Sequence, residues 1–342
     1  MNNDFWLGMA LTLLSGLLNG AFALPMKFSR SWKWENTWLV YSLVALLLVP
    51  LTLAFRQVPG LAEVYASVPL RGLLVPAAFG FLWGTAQVTF GISLRLVGFA
   101  IAYAVVSGLA SLSGSLVPLL AFNPEDLFRP RGLFLLFSIP ILVLGLILYA
   151  WAGRAREKEQ IAQNSDASSP KASFGRGLAL CLYTGVFASS FNLGFAFAGN
   201  VIYASTQRGA GPVDSTYAVW GLVLGAGSIP NVAYCVYLLV RNHTANLFRQ
   251  RGASRETLLG VAMGLTWITA IITYGIGATR AGTYGTSIGF MLFIAGSILF
   301  ANASGLLTGE WKGTSQRTRK LLFTAVAFIL VAVGVLNLGG LF

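Results

Sequence analysis

The chain has 342 residues, of which 56% are hydrophobic and only 10% are charged, and its formal net charge is +12. A soluble globular domain carries about 25% charged residues, so this composition excludes an ordinary water-soluble protein. It predicts an all-α integral membrane protein.

Ten stretches are long and apolar enough to cross a bilayer as helices, which takes about 20 residues each. In chain order they cover residues 6–26, 37–55, 72–94, 99–122, 132–153, 177–202, 215–240, 256–279, 283–307 and 321–341. The one long polar stretch, residues 154–176, lies between the fifth and sixth and is predicted to be a flexible cytoplasmic linker. We therefore predict one five-helix repeat over residues 1–153 and a second over residues 177–342.

The basic residues are distributed unevenly among the connections between these stretches. Odd-numbered connections carry 17 Lys and Arg residues, whereas even-numbered connections carry 6. Because cytoplasmic loops of membrane proteins are enriched in Lys and Arg, this bias predicts that the odd-numbered connections are cytoplasmic and that both termini lie outside the inner membrane. It also explains the net charge without a nucleic-acid partner.

Two pairs of stretches repeat each other. Residues 80–98 (GFLWGTAQVTFGISLRLVG) and 264–282 (GLTWITAIITYGIGATRAG) agree at eight of nineteen positions, with Trp83 aligned to Trp267. The stretches that begin at Gly8 and Gly177 agree at eight of twenty-one positions. Chance similarity of apolar segments is the alternative, but two pairs in the same order favour duplication.

The spacing of the repeats predicts how the two halves enter the membrane. Each pair is separated by five predicted spans, and because five is odd, the second copy has the opposite orientation. Inverted repeats of this kind are typical of secondary transporters that open one central site to either side in turn. We therefore predict two inverted five-helix repeats and alternating access.

Several side chains within the predicted spans are unusual for a lipid environment. An unpaired amide in hydrocarbon is costly, and Trp more often lies at the membrane interface than in the middle of a span. Tryptophan rings on the C–H face of a sugar, with amides bonding its hydroxyls, would form a sugar site. Hydrogen bonding between helices is the alternative for the amides, and core packing is the alternative for the tryptophans. The candidate substrate-binding residues are Asn19, Trp83, Gln87, Asn192, Trp220, Asn231, Trp267 and Asn302.

The sequence argues against several other functional classes. The chain has a single His and two isolated Cys residues, so we predict no metal site. It lacks the phosphate-binding loop of ATPases and any Ser paired with a catalytic His, so we predict no cofactor and no enzyme activity. A membrane sensor or enzyme on the same scaffold is the alternative from another class, and the internal repeat counts against it.

Five short motifs resemble one known family. The stretch LPMKFSRSWKWENTW at 24–38 carries the pattern W-x-W-E-x-x-W, and it is accompanied by FW at 5–6, FGFLWG with GISLRLVG in the third span, NVAYC at 231–235 and GEW at 309–311. With these motifs the chain resembles, over nearly its whole length, the L-rhamnose-proton symporter family of the drug/metabolite transporter superfamily.

The resemblance implies ten helices, external termini and proton-coupled uptake of L-rhamnose or a related 6-deoxy sugar. Sugar, protons and membrane lipid are then the expected partners. The resemblance carries over Glu35 in WKWE and Glu310 in GEW as candidates for proton coupling, and Asp214 is a third candidate without a matching family acid. A facilitator or exporter of another small polar metabolite is the alternative within transport.

Overall fold

The computed structural model describes residues 3–122, 124–163, 172–281 and 289–339, and the regular elements in these ranges are all helical. Short 3₁₀ segments cover Leu24–Phe28, Pro124–Phe128 and Ala245–Arg249. The α-helices are α1 (Asn3–Ala21), α2 (Trp34–Ser42), α3 (Val49–Gln57), α4 (Leu61–Ser67), α5 (Leu70–Val97), α6 (Phe99–Phe122), α7 (Pro130–Gln163), α8 (Ala172–Phe187), α9 (Ser190–Ala196), α10 (Gly199–Gln207), α11 (Ser215–Arg241), α12 (Ala253–Arg280), α13 (Phe290–Leu307) and α14 (Gln316–Leu338).

Eight helical segments within the described ranges are long and apolar enough to cross a membrane. Two shorter apolar helices, Phe99–Gly114 and Leu292–Leu307, fall on the fourth and ninth predicted spans. The start of the ninth span and the end of the tenth lie outside the described residues. A multi-pass helical membrane protein is thus confirmed, and ten crossings stays a prediction. The eight segments are Asp4–Phe28, Trp34–Gln57, Leu70–Val97, Gly132–Gln160, Phe174–Gln207, Ser215–Arg241, Ala253–Ala278 and Gln316–Leu338.

The second span contains a π-helical segment, Leu43–Leu48, between α2 and α3. At its end the Val49 N–H donates to the Val44 carbonyl, five residues back, in place of the usual four. Pro50 follows immediately, and because proline has no N–H, it cannot donate to a carbonyl in the preceding turn. A wide turn just before proline is a recognised way to accommodate it within a helix.

The sixth span is predicted from sequence as one helix, but the structure divides it into α8, α9 and α10. The breaks fall after Phe187 and after Ala196, next to Ser189 and Gly199 respectively. Serine competes for backbone hydrogen bonds and glycine lowers helix stability, so these positions favour interruption.

The predicted linker 154–176 is helical at both ends. Helix α7 continues to Gln163 and α8 begins at Ala172, and residues 164–171 lie outside the described ranges. The extension is rich in Arg, Ala, Glu, Lys and Gln, which are good helix formers. Glu159 also anchors it, because its carboxylate accepts hydrogen bonds from Ser315 and Thr318 at the start of α14, each at 2.7 Å.

The chain forms two compact units, each assembled from both halves of the sequence. Unit 1 contains residues 1–21, 89–186 and 269–342, and in it α7 packs against α14 and α1 against α13. Unit 2 contains residues 22–88 and 187–268, and in it α11 packs against α2 and α3, and α10 against α4.

Candidate functional site

Trp83 on α5 lies directly across the backbone of α11. A Cβ on Gly80 would stand 2.2 Å from the Val223 carbonyl oxygen, so only glycine allows the helices to approach this closely. A Cβ on Gly227 would stand 2.9 Å from Cε3 of Trp83, so the indole occupies the space that a side chain would fill. The Trp83 side chain is consequently held in place and only 5% exposed.

Trp83 and Trp267 are in direct contact within unit 2. Their ring centroids are 5.8 Å apart at an interplanar angle of 33°. Trp83 also contacts Phe191 at 5.2 Å, and Trp267 meets Tyr41 edge-to-face at 6.5 Å. We call these four side chains the aromatic cluster. The two tryptophans that the sequence repeat aligns are therefore brought together by the fold.

Gln87 and Asn192 lie on helices that carry this cluster, and Trp220 is linked to it by a ring contact. Gln87 lies one turn beyond Trp83 on the same face of α5 and is partly exposed, and Asn192 beside Phe191 is exposed. Neither amide has a hydrogen-bond partner in the part of the chain that the structure describes. Trp220 is half-buried and reaches the cluster through Phe195, which it meets edge-to-face at 6.2 Å.

Asn231 is fully buried and its amide joins three helices. Nδ2 donates to the carbonyl oxygens of Gly84 at 3.0 Å and Gly227 at 2.9 Å. Oδ1 accepts a hydrogen bond from Trp38 Nε1 at 3.0 Å. These contacts link α2, α5 and α11, so the amide is engaged in holding unit 2 together.

Asn19 and Asn302 make comparable contacts in unit 1. Nδ2 of Asn19 donates to Ser297 Oγ at 3.0 Å, which links α1 to α13. Oδ1 of Asn302 accepts from the Tyr149 hydroxyl at 2.8 Å, and its Nδ2 donates to the Ile298 carbonyl at 2.8 Å. Both amides therefore satisfy hydrogen bonds between or within packed helices.

Glu35 lies on the first turn of α2 and is only 2% exposed. Its Oε1 accepts hydrogen bonds from Asn242 Nδ2 and Thr244 Oγ1, both at 2.9 Å. These two donors follow α11 directly, so the carboxylate connects the start of α2 to the end of α11. The WKWE motif thus places an acid in the interior of unit 2.

Four buried polar atoms on α2 have no hydrogen-bond partner among the described residues: Trp34 Nε1, Asn36 Oδ1, Tyr41 Oη and Ser42 Oγ. At about 100° per residue, Trp34, Tyr41 and Ser42 fall on the side of α2 that also carries Glu35, whereas Asn36 falls on the opposite side. Tyr41 and Ser42 are absent from the sequence-based candidates. The spacing of Trp34, Trp38 and Tyr41 over two helical turns was the signal that could have found this face.

Glu310 forms a cap on the first turn of α6. Its carboxylate oxygens accept from the backbone N–H groups of Phe99 at 3.0 Å and Ala100 at 3.5 Å. Gly98, with φ of 84°, and Gly305 leave space for it, because a Cβ on either would stand within 2.9 Å of Glu310 Oε2. The negative charge is stabilised by the helix N-terminus.

Asp214 stands at the N-terminus of α11. It is partly exposed and its side chain makes no capping hydrogen bond to that helix. In the described ranges no three His, Cys, Asp or Glu side chains come together in a way that would hold a metal ion.

Apolar helices of membrane-spanning length, together with paired tryptophans, amides and a buried carboxylate inside unit 2, are typical of a multi-pass membrane transporter. The sequence profile of the L-rhamnose-proton symport protein (RhaT) family matches residues 1–341. The chain belongs to this family.

Several curated proteins are similar to the chain over its full length. The L-rhamnose-proton symporters of Yersinia pestis (strain Pestoides F), Yersinia pseudotuberculosis (serotype O:3, strain YPIII) and Shigella sonnei (strain Ss046) are each 23% identical to it over 346 residues. Each alignment covers 99% of both chains. The similarity therefore extends over the whole length of the chain.

Proposed function

We propose that this protein imports L-rhamnose, or a closely related 6-deoxy sugar, together with a proton across the cytoplasmic membrane. The full-length match to the symporter family carries this proposal. The interior of unit 2 supports it, since tryptophan faces suit the C–H face of a sugar ring and free amides suit its hydroxyls.

The sugar site is assigned to the aromatic cluster and the polar groups beside it. Trp83 and Trp267 supply the ring faces, while Gln87 and Asn192 supply amides that the described protein atoms leave unused. Trp220 extends the site along unit 2. Asn231 supports the site from α11, whereas Asn19 and Asn302 stabilise helix packing in unit 1, because all three amides are committed to protein hydrogen bonds.

Equivalent contacts between the two halves of the chain support an inverted repeat of the drug/metabolite transporter type. A Cβ on Gly8 would stand 2.6 Å from Ala281 N, and a Cβ on Gly177 would stand 2.6 Å from Val97 Cγ1. In the sequence repeats Gly8 is equivalent to Gly177, and Val97 is equivalent to Ala281. The first span thus contacts the end of the eighth, and its equivalent, the sixth span, contacts the end of the third. A two-fold axis that relates the halves would interchange these two contacts.

A second pair of contacts follows the same exchange. A Cβ on Gly16 would meet the Phe293 carbonyl oxygen at 2.3 Å, and a Cβ on Gly185 would meet Leu109 Cβ at 2.4 Å. Gly16 and Gly185 are equivalent in the two similar stretches that begin at Gly8 and Gly177. The separation of Leu109 and Phe293 in the chain equals that of Trp83 and Trp267, so Leu109 and Phe293 are equivalent as well. Both repeats therefore use one packing scheme, which supports alternating access.

Contacts between connections support ten crossings with external termini. Trp32 in the first connection donates to the Leu247 carbonyl in the seventh at 3.1 Å, and Gln160 in the fifth donates to the Glu310 carbonyl in the ninth at 3.0 Å. Tyr65, in the second connection, donates to the carbonyl of Ala218 at the start of the seventh span, next to the sixth connection. Odd-numbered connections pair with odd-numbered ones, as expected if every predicted span crosses the membrane.

Glu35 is the leading candidate for proton coupling. It is buried on the side of α2 that also carries the unpaired atoms of Trp34, Tyr41 and Ser42, and buried polar atoms without protein partners are usually satisfied by water. Water along this side of α2 would connect the carboxylate with the aromatic cluster through Tyr41. Asp214 and Glu310 are the alternatives.

The decisive experiment uses the purified protein in liposomes with an acidic exterior and labelled L-rhamnose outside. A proton-coupled importer should concentrate the sugar, by roughly fortyfold for one proton driven by 100 mV, and a protonophore should abolish accumulation. A facilitator would only equilibrate the sugar. Absence of counterflow with L-rhamnose and a panel of other deoxy sugars would refute sugar transport.

The role of Glu35 is tested by Glu35→Gln, with the exposed Glu125→Gln as the matched control. Loss of a coupling acid should abolish accumulation but retain counterflow, because exchange of sugar needs no net proton movement. If Glu35→Gln concentrates the sugar as well as the parent does, the acid is structural, and Asp214→Asn and Glu310→Gln become the next variants.

A further inference from the structure

A pocket of about 430 Å³ opens in unit 2 between the end of α4 and one face of α10. Its volume lies within the ~300–1,000 Å³ range of small-molecule sites. Asn200, Tyr203 and Gln207 are three and four residues apart, so they share one helical face. The side chains that matter for the argument are Ser67, Asn200, Tyr203, Gln207 and Arg208.

The walls of this pocket are fixed by packing beneath it. Val68 and Val201 belong to a buried apolar cluster that joins α4, α10 and α11. Gly72 on α5 seats the Asn200 side chain, since a Cβ there would stand 2.8 Å from Asn200 Nδ2. The backbone that carries the pocket is therefore held in place by the apolar cluster beneath it.

The polar groups of the pocket match hydroxyl groups. Asn200 and Gln207 each offer an amide that donates and accepts, as a sugar hydroxyl does, and neither has a hydrogen-bond partner in the described ranges. Tyr203 is 67% exposed and presents its ring to the same space. An aromatic face with two free amides is suited to a pyranose.

The charges of the pocket favour a neutral ligand over an anion. Arg208 Nη1 and Glu63 Oε2 lie 3.3 Å and 2.8 Å from the point where a Cβ on Gly60 would stand. Both charged groups therefore approach Gly60, and the nearby carboxylate lowers the positive potential with which Arg208 would attract a phosphate or carboxylate ligand.

We infer that this pocket is an external vestibule that binds a neutral pyranose before the sugar reaches the aromatic cluster. The inference rests on the proposed function for the identity of the sugar and for the side of the membrane, because α4 and α10 flank even-numbered connections. It adds a second sugar site that is separate from the site of transport.

Binding is tested without transport, by protection of a cysteine in the pocket. Both native cysteines are buried, so Ala204→Cys provides an accessible thiol in the lining and Thr206→Cys provides a control on another face of α10. Saturating L-rhamnose should slow maleimide labelling severalfold at position 204 only. Added Asn200→Ala and Gln207→Ala changes should remove the protection.

The role in uptake is tested by sidedness in oriented vesicles. Asn200→Ala combined with Gln207→Ala should raise KM for external sugar about tenfold, the effect of losing two neutral hydrogen bonds, with kcat within twofold. KM for sugar presented at the cytoplasmic face should not change, and Thr206→Ala should behave as the parent.

The outcomes separate the two proposals. No protection at position 204 by any neutral sugar, or an equal rise in KM on both faces, would overturn the vestibule. Protection by a neutral sugar in a protein that shows no counterflow would support the vestibule and refute the proposed transport function.

Discussion

Replacing Gly84 by alanine should push α5 away from α11. A Cβ at this position would stand 2.2 Å from the Gly227 carbonyl oxygen and 2.7 Å from Pro230 Cγ. The first of these atoms belongs to backbone, so no side-chain rotation relieves the clash. The Gly84 carbonyl also accepts the hydrogen bond from Asn231, which would lengthen as the helices separate.

The expected cost follows from these two contacts. Overpacking of a close interface costs about 1–3 kcal/mol, and an interhelical hydrogen bond in a membrane protein contributes about 0.6–1.7 kcal/mol. Gly225→Ala is the matched control, because a Cβ there meets nothing within 4 Å. The gain in helix propensity is the same in both variants and cancels. The free energy of unfolding of Gly84→Ala should therefore be lower than that of Gly225→Ala by roughly 2–5 kcal/mol.

Thermal unfolding in detergent, followed by size-exclusion chromatography of the heated samples, measures this difference. Gly84→Ala should melt several degrees below the parent, and Gly225→Ala should melt at or above it. Transport by Gly84→Ala should fall as well, since Trp83 lies on the same interface. Equal melting temperatures for the two variants would show that the close approach of α5 and α11 does not hold unit 2 together.

Four further predictions concern topology, capping, packing and the sugar site. Single cysteines in residues 154–176 should react with an impermeant reagent only from the cytoplasmic face, and labelling from outside intact cells would reject the inverted topology. Glu310→Gln should lower stability by about 1 kcal/mol yet preserve accumulation of sugar; loss of accumulation with retained counterflow would make it the coupling acid. A double-mutant cycle of Tyr149→Phe and Asn302→Ala should give a coupling energy near 1 kcal/mol, and a value near zero would contradict the hydrogen bond. Trp83→Ala should weaken sugar binding about ten- to hundredfold in equilibrium binding assays, whereas the exposed Trp151→Ala should not, and equal affinities would place the sugar elsewhere.

The pairing of Trp83 with Trp267 was accessible from sequence, because a duplicated segment aligns the two residues. The role of Asn231 was not accessible from sequence. Its partner Trp38 is 193 residues away in the chain, and an amide in an apolar span is equally well explained by a helix partner or by a ligand. Only the fold decides which groups saturate it.

The interruptions of the helices were hidden for a different reason. The sixth predicted span, 177–202, is apolar on average, and average composition does not distinguish one helix from three short ones. The π-helical segment is hidden in the same way, since one wide turn barely alters the spacing of apolar residues. The extension of α7 into the predicted linker required knowledge of Glu159, whose partners Ser315 and Thr318 lie in the other half of the chain.

The π-helical segment Leu43–Leu48 also sets how the second span tolerates changes in length. It accommodates one more residue than the same turn of α-helix, as shown by the Val49 N–H bonding five residues back. Deleting one residue within Leu43–Leu48 would convert the wide turn to α-helix while leaving α2 and α3 facing their present neighbours. The same deletion inside α2 would rotate everything before it by about 100° relative to α11 and turn Glu35 away from Asn242.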